Sequence, residues 1–280
     1  MASCLYLLAT PIGNLEDITL RCLRILREAD MIAAEDTRQT AKLLNHYEIK
    51  KPMISYHEHN KKSKGGEIID LILEGKTVAL VSDAGMPCIS DPGEDLVRLC
   101  VERGIEVIAI PGPSASLTAL SISGLSTSRF VFEGFLPVKG KDRRERLQGL
   151  SREERTIILY EAPHRLLSTL KDLREHLGNP KLSISRELTK KFEETVRTDL
   201  DGAIEEFKNR SIKGEFVLII EGKSLEELKA EEGRFWDDMS VLEHILAYME
   251  RGMSKKEAIA LVAKERNLSK REVYNIGIEI

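Results

Sequence analysis

A chain of 280 residues, 42% hydrophobic and 31% charged, is composed like an ordinary globular protein and can build cores without cross-links; its length suits two domains, or two and a small appendage. The formal net charge of -4 excludes a global basic field, so any nucleic-acid contact must rest on local patches. There is no apolar run of membrane-spanning length, no signal-like start in Met1 to Tyr6, and no C-x-x-C pair among Cys4, Cys22, Cys88 and Cys100, which together predict a cytoplasmic protein with reduced thiols.

Residues 1 to about 125 alternate short apolar runs with amphipathic stretches. Leu5 to Ala9 reads as a strand, Ile18 to Arg27 as a helix, and Met31 to Ala34 as a strand. Thr37 to Tyr47 reads as a helix, Thr77 to Val81 as a strand, and Asp95 to Arg103 as a helix. Glu106 to Ile110 is a further strand, before a small-residue helix from Ser114. This is the β-α-β rhythm of a mostly parallel sheet, and strands without alternation suit a sheet covered on both faces.

Residues 126 to about 223 read as a second α/β domain. Its strand candidates are Phe130 to Phe132, Thr156 to Tyr160, Leu182 to Ser185, Thr195 to Thr198 and Phe216 to Ile220, in a sheet expected to be mixed. Arg165 to His176 and Leu200 to Asn209 are helix candidates. Ser224 to Gly233 reads as a helix or linker. The tail, 236–280, is helical, and Ser254-x-x-Glu257 and Ser269-x-x-Glu272 have the spacing of capping boxes. Two capped helices meeting near Asn267 and Leu268 resemble a helix-turn-helix.

Three strands of the first segment end in loops that combine Pro with Gly: Thr10-Pro11-Ile12-Gly13-Asn14, Ser82 to Pro87 continuing through Gly93, and Pro111 to Ser116. Proline fixes a turn, and glycine lets a ligand approach the backbone. In a parallel sheet all three would lie at the carboxyl edge, where ligands bind. Neither G-x-G-x-x-G nor G-x-x-x-x-G-K-[ST] occurs. The residues alone therefore predict a small-molecule site that is neither a dinucleotide fold nor a P-loop.

The Thr10 to Leu15 loop, followed by Ala34-Glu35-Asp36-Thr37-Arg38, resembles the tetrapyrrole-methylase superfamily of methyltransferases. Ser55 to Asn60, Ser82 to Pro87, Gly134 to Pro137, Tyr160 to Arg165 and Ser185 to Lys190 resemble the ribosomal RNA small subunit methyltransferase I family within it. The resemblance spans essentially the whole chain. It implies two α/β domains with a donor cleft between them, a homodimer, S-adenosylmethionine as cofactor, and 2′-O-methylation of a cytidine ribose in 16S rRNA near the decoding centre. Carried over, it implies that Pro11, Ala84, Gly85, Met86, Ile89, Ser114 and Ala115 line the donor site, closed by Tyr160 and Phe216. Asn14 is expected to lean towards the acceptor.

Methyl transfer from a sulfonium needs positioning above all, and a ribose hydroxyl benefits from a proton acceptor. Glu161 and His164, at a strand exit, are candidates for that role, against a favourable carboxylate beside a helix start and a cap or packed ring. Asp83 competes with them, against an Asx-turn. Glu35 and Arg38 form either a structural pair with Asp36 or, as the resemblance implies, part of the acceptor pocket. His57 and His59 alternate in what reads as an extended stretch. Two histidines without a third ligand make no metal site, and none is predicted; the stretch is expected to face the substrate, with His57 among the substrate-binding residues, against a plain surface loop.

Lys139, Lys141, Arg143, Arg144 and Arg146, with Arg186, Lys190 and Lys191, would suit phosphates beside a cleft, against solvated surface. In the tail, Lys255, Lys256, Lys264, Arg266, Lys270 and Arg271 are partly cancelled by Glu257, Glu265 and Glu272. The tail either grips RNA or packs. The competing functions are a methylase of the same fold acting on a tetrapyrrole or other small molecule, and a non-enzymatic RNA binder. The basic runs disfavour the first and the converging loops the second.

Overall fold

The computed structural model describes residues 3–210, 212–231, 236–237 and 239–279. They divide into two compact units, Met1–Gly222 and Lys223–Ile280. The first two predicted segments share the first unit, and each carries its own sheet.

The first sheet follows the chain as β1 (Leu5–Leu8), α1 (Leu20–Glu28), β2 (Met31–Ala34), α2 (Thr37–His46), β3 (Met53–Ser55), α3 (Lys61–Leu73), β4 (Val78–Val81), α4 (Gly93–Glu102), β5 (Val107–Ile110) and α5 (Ala115–Ile122). Its strands run in the order β3-β2-β4-β1-β5, all parallel. β1 and β4 are buried at every position, which is why they lack alternation. Leu5 and Leu7 face one core with Ile68 and Leu96, and Tyr6 and Leu8 face the other with Ile25 and Leu26.

Three local features depart from the sequence reading. The first helix starts at Leu20, not Ile18, because the Thr19 hydroxyl accepts from the Cys22 N–H at 3.0 Å and a 3-10 turn, Leu15–Asp17, precedes it. β3 and α3 went unread. Gly65 and Gly66 weaken the helical signal of α3, yet Gly65 is buried where an added Cβ would lie 3.0 Å from Leu99 Cδ1 on α4. His57 and His59 do not alternate on a strand. Asn60 turns the chain there, accepting from the His57 N–H at 2.9 Å and donating to the Ser55 carbonyl at 3.1 Å.

The second sheet comprises β6 (Phe130–Phe135), α6 (Lys141–Leu150), β7 (Thr156–Glu161), α7 (Leu166–Leu177), β8 (Lys181–Arg186), β9 (Glu194–Asp199), α8 (Leu200–Phe207) and β10 (Phe216–Ile220). The order is β6-β7-β10-β8-β9, with only β6 and β7 parallel, so the sheet is mixed, as its short connections predict. Leu166, Leu170, Leu173 and Phe207 cover one face. On the other face, Ala119 and Leu120 of α5 pack with Ile158, Val217 and Ile219. That packing joins the two sheets and sets the place of the site.

The second unit contains α9 (Leu225–Glu231), α10 (Val241–Glu250), α11 (Lys255–Glu265) and α12 (Lys270–Ile276). Of the predicted stretch Ser224 to Gly233, the last two residues lie outside the described residues, as do Asp238 and Ile280 of the tail. Capping boxes start α11 at Ser254/Glu257 and α12 at Ser269/Glu272, and a third, Ser240/Glu243, starts α10. Ile245, Tyr248, Ile259, Val262 and Val273 form the core of this unit. No helix among the described residues is long and apolar enough to cross a membrane.

Candidate functional site

The three Gly/Pro loops meet. The Thr10 N–H donates to the Gly85 carbonyl and the Gly85 N–H to the Thr10 carbonyl, both at 2.9 Å. The Thr10 hydroxyl reaches the Ser82 carbonyl at 3.3 Å. At Gly112 an added Cβ would lie 2.8 Å from the Ala9 Cβ, so only glycine lets the β5 loop come this close to β1. Gly85 sits at φ +77, in the left-handed region.

A cavity opens between these loops and the second sheet. Ile12, Ala84, Gly85, Met86 and Ile89 line it from the β1 and β4 loops, with Ser114 and Ala115 at the start of α5. Phe135, Tyr160, Phe216 and Val217 line it from the second sheet, with Ser185 to Leu188, Lys190 and Glu215. Tyr160 is held edge-on by Phe132 and Phe135, with ring centroids 5.1 and 5.6 Å away. Ser114 makes no side-chain capping bond to α5, which leaves the first backbone N–H groups of that helix without a side-chain acceptor. Six non-glycine residues with positive φ occur among the described residues, and four of them flank the cavity: Cys88 and Ser90 around Ile89, and Glu187 and Thr189 around Leu188. Strained backbone of this kind gathers at ligand sites.

Eight of the nine residues expected at the donor line this cavity; Pro11 does not. It lies on a neighbouring recess with Thr10, Gly13, Leu15, Gln39, Thr40, Leu43, Ser82 and Asp83. The Asn14 side chain is occupied in capping the Glu16 N–H at 3.1 Å, and the Asn14 N–H donates to Thr189 Oγ1 at 3.1 Å. Asp83, exposed, accepts from the Asp36 N–H at 3.0 Å. Asp36 takes a two-pronged bond from Arg38, at 3.0 and 2.8 Å, which holds its carboxyl at about 2. Glu35 is half-buried, and burial first, then the charges of Asp83 and Asp91, raise its pKa. Burial pushes the Cys88 thiol up to about 12.

Other candidates fall elsewhere. Glu161 is 1% exposed and is not among the residues lining the cavity. Its carboxylate accepts from the Ala162 N–H at 2.8 Å and the Thr169 hydroxyl at 2.6 Å, with Arg165 Nε at 3.3 Å. A base needs access, and this carboxylate is enclosed by its own partners. His164 is exposed on the turn before α7. Arg143, expected on phosphate, is buried instead. It donates to Asp172 at 2.8 Å, the Pro137 carbonyl at 2.9 Å and Thr169 Oγ1 at 2.9 Å, so an RNA backbone cannot reach it. Arg146 pairs with Glu133 and Lys141 with Glu145, while Lys139 and Arg144 are exposed. Arg186 and Lys190 line the cavity, each already in an ion pair, with Glu194 at 2.6 Å and Glu187 at 3.0 Å. His57 and His59 are 6.0 Å apart between ring centroids. Among the described residues no cluster of three or more His, Cys, Asp or Glu side chains is placed for a metal.

Ile12, Phe135, Ser185, Glu187, Leu188, Glu215 and Val217 line the cavity without being singled out by the sequence. Phe135, Glu187 and Leu188 lie inside motifs that pointed to a family, but nothing local marks which members face inward. Glu215 carries no signal, since it reaches the cavity only because β10 pairs between β7 and β8.

The model of the tetrapyrrole (corrin/porphyrin) methylases matches residues 4–204. The chain is 53% identical over 272 residues to the ribosomal RNA small subunit methyltransferase I of Halalkalibacterium halodurans, covering 97% of this chain and 93% of that protein. It is 48% identical to the protein of the same name from Bacillus subtilis, covering 97% and 92%. Among solved structures, diphthine synthase superposes with a TM-score of 0.65 at 15% identity, covering 82% of this chain and 94% of that one. Uroporphyrin-III C-methyl transferase from Thermus thermophilus, complexed with S-adenyl homocysteine, gives 0.56 at 19% identity, covering 77% and 96%. At these identities the structures speak for the fold alone. The chain belongs to the tetrapyrrole methylases and, within them, to the family of ribosomal RNA small subunit methyltransferase I.

Proposed function

We propose that this protein transfers a methyl group from S-adenosylmethionine to the ribose 2′-hydroxyl of a cytidine in 16S rRNA, near the decoding centre. The observation that carries the rRNA reading is the likeness to relatives of that name across 97% of the chain, tail included. The tail is not what carries it, since the Thermotoga maritima protein of the same name matches 78% of this chain over 98% of its own length at 52% identity. The cytidine, its 2′-oxygen and the decoding centre come from the family resemblance.

The cavity fits the donor chemically. Its wall at Gly85 is bare backbone in a left-handed turn, with nothing closer than 3.5 Å to where a Cβ would be. The uncapped start of α5 at Ser114 and Ala115 suits a carboxylate. Met86, Ile89, Phe135 and Tyr160 supply apolar surface that excludes water. S-adenosylmethionine supplies a methyl group already activated on a sulfonium. The task left to the chain is to align the acceptor oxygen and accept its proton. Asp83, two residues past β4, lies on the recess that adjoins the cavity, is exposed, and is oriented by the Asp36 N–H; we assign it that role, with the acceptor ribose entering from the recess. Pro11 then shapes the recess beside Asp83 instead of the donor wall. The resemblance further implies a cytoplasmic homodimer.

The test is methyl transfer from labelled donor to 30S subunits, naked 16S rRNA and a tetrapyrrole, with the product mapped by resistance to alkaline cleavage. Label on a ribose of 16S rRNA is expected. Label on a base, or on the tetrapyrrole alone, would overturn the proposal.

A further inference from the structure

Resting on the reading of RNA as substrate, we infer that the groove between α11 and α12 binds a single-stranded segment of that RNA, its phosphates on Lys255, Lys256, Lys270 and Arg271 and a base stacked on Tyr274.

The groove is built from the first two turns of both helices. Lys255 and Lys256 stand one turn before Ile259 and Ala260, and Lys270 one turn before Tyr274, so each cation shares a face with an apolar neighbour. Four cations thus rim a floor made of Ile259, Ala260 and the ring of Tyr274, which is 56% exposed. Such a pairing of backbone-tracking cations with an aromatic platform is how single strands are held without a sequence code.

The pairing of charges in the tail, rather than their number, supports an anionic occupant. By sequence Glu257, Glu265 and Glu272 partly offset the lysines and arginines of the tail, and in the structure the bonds of these glutamates go to groups other than the groove cations. Glu257 accepts from the Ser254 N–H at 3.0 Å, and Glu272 from the Ser269 N–H at 2.9 Å. Glu265 accepts from the Tyr248 hydroxyl at 2.9 Å and lies 3.3 Å from His244. Among the described residues, no ion pair engages any of the four groove cations. In the runs between Lys139 and Lys191, by contrast, five of the eight cations, Lys141, Arg143, Arg146, Arg186 and Lys190, carry internal carboxylate partners.

The full chain is titrated with a fluorescent single-stranded RNA over a range of salt. Each neutralised phosphate contributes about 0.7 to the slope of log K against log salt, so replacing all four cations by Gln is expected to reduce the slope by up to about 3. Tyr274→Ala is expected to weaken binding roughly tenfold, and Tyr274→Phe, which keeps the ring, to bind like wild type. Circular dichroism checks that the variants fold, and donor binding, measured by calorimetry, is expected to be unchanged. Wild-type slope and affinity in the fourfold variant would overturn the inference, as would a variant that binds RNA normally but loses self-association by sedimentation, which would mark the groove as a contact between copies. If the fourfold variant still methylates 30S subunits with wild-type KM, this inference fails while the proposed function stands. If wild type binds RNA with the expected salt and Tyr274 dependence yet methylates no rRNA, the proposed function fails and the groove assignment survives.

Discussion

Thr10 and Gly85 are joined by two reciprocal backbone hydrogen bonds, each 2.9 Å long, so the loops leaving β1 and β4 form one rigid lip rather than two independent turns. Gly85 lines the cavity and Thr10 the adjoining recess that holds Pro11 and Asp83. Gly85→Ala is expected to strain the lip, because the left-handed backbone costs a residue with a Cβ about 1–2 kcal/mol even where space is free. Calorimetry should show weaker donor binding and differential scanning a lower Tm. Equal affinity and Tm would mean the lip does not shape the donor site.

Glu161 separates structure from catalysis. Its carboxylate joins the Ala162 N–H, Thr169 and Arg165 in a buried cluster. Glu161→Gln is expected to lower stability by about 1–3 kcal/mol, measured by urea unfolding, with kcat nearly unchanged in folded protein. A kcat loss of about a hundredfold or more would return Glu161 to the role of proton acceptor.

Asp83 should behave in the opposite way. Asp83→Asn keeps the acceptor oxygen for the Asp36 N–H and removes only the charge. The expected result is a kcat lower by roughly 10²–10⁴, with donor affinity and Tm near wild type. Full activity in that variant would rule out the assigned role.

Arg143 and Arg144 are sequence neighbours with different fates. Arg143→Ala removes the partner of Asp172 and a donor to the Pro137 carbonyl and should cost about 2 kcal/mol, below the ~3–5 of a fully buried pair because Asp172 is partly exposed. Arg144→Ala should stay within about 0.5 kcal/mol. Chemical denaturation of the two variants decides it, and equal, small losses would disprove the buried role of Arg143.

The tail carries its own reporter. Trp236, the sole tryptophan of the chain, stacks on His244 at 4.4 Å, and Arg266 donates to His244 Nδ1 at 3.2 Å. Burial lowers the pKa of His244 below 6.5, opposed by Glu265 and reinforced by Arg266 and Arg251. A histidine whose folded pKa is depressed binds its proton more readily when unfolded. Its contribution is therefore complete above pH ~6.5 and is lost as pH falls towards the folded pKa. Tryptophan-detected melting of the tail should drop over that window, and His244→Gln should flatten the dependence. A tail melting point independent of pH from 7 to 5 would contradict it.

What the sequence determined by itself was the part governed by local chemistry. Buried, unalternating strands such as Leu5–Leu8 and Val78–Val81, the serine-glutamate boxes of the tail, and the Gly/Pro loops at strand exits all express backbone preferences within a few residues. The family resemblance was legible for the same reason, since loop motifs are short and contiguous. What only the tertiary structure decided was where charged side chains end. Arg143 and Glu161 read as exposed or catalytic because sequence spacing does not show Asp172, Thr169 or Ala162 closing around them. Conversely, sequence spacing does not show that Glu265 bonds to Tyr248 and not to a cation of the α11–α12 groove. An ionised group is bound by whichever partner best offsets its desolvation, and such partners lie far along the chain, 29 positions on from Arg143 to Asp172 and 47 from Asp30 to Thr77. The loop at Thr10 shows both levels: its turn is written in Pro11 and Gly13, but its bond to Gly85, 75 positions on, exists only because β1 and β4 are neighbours in the sheet.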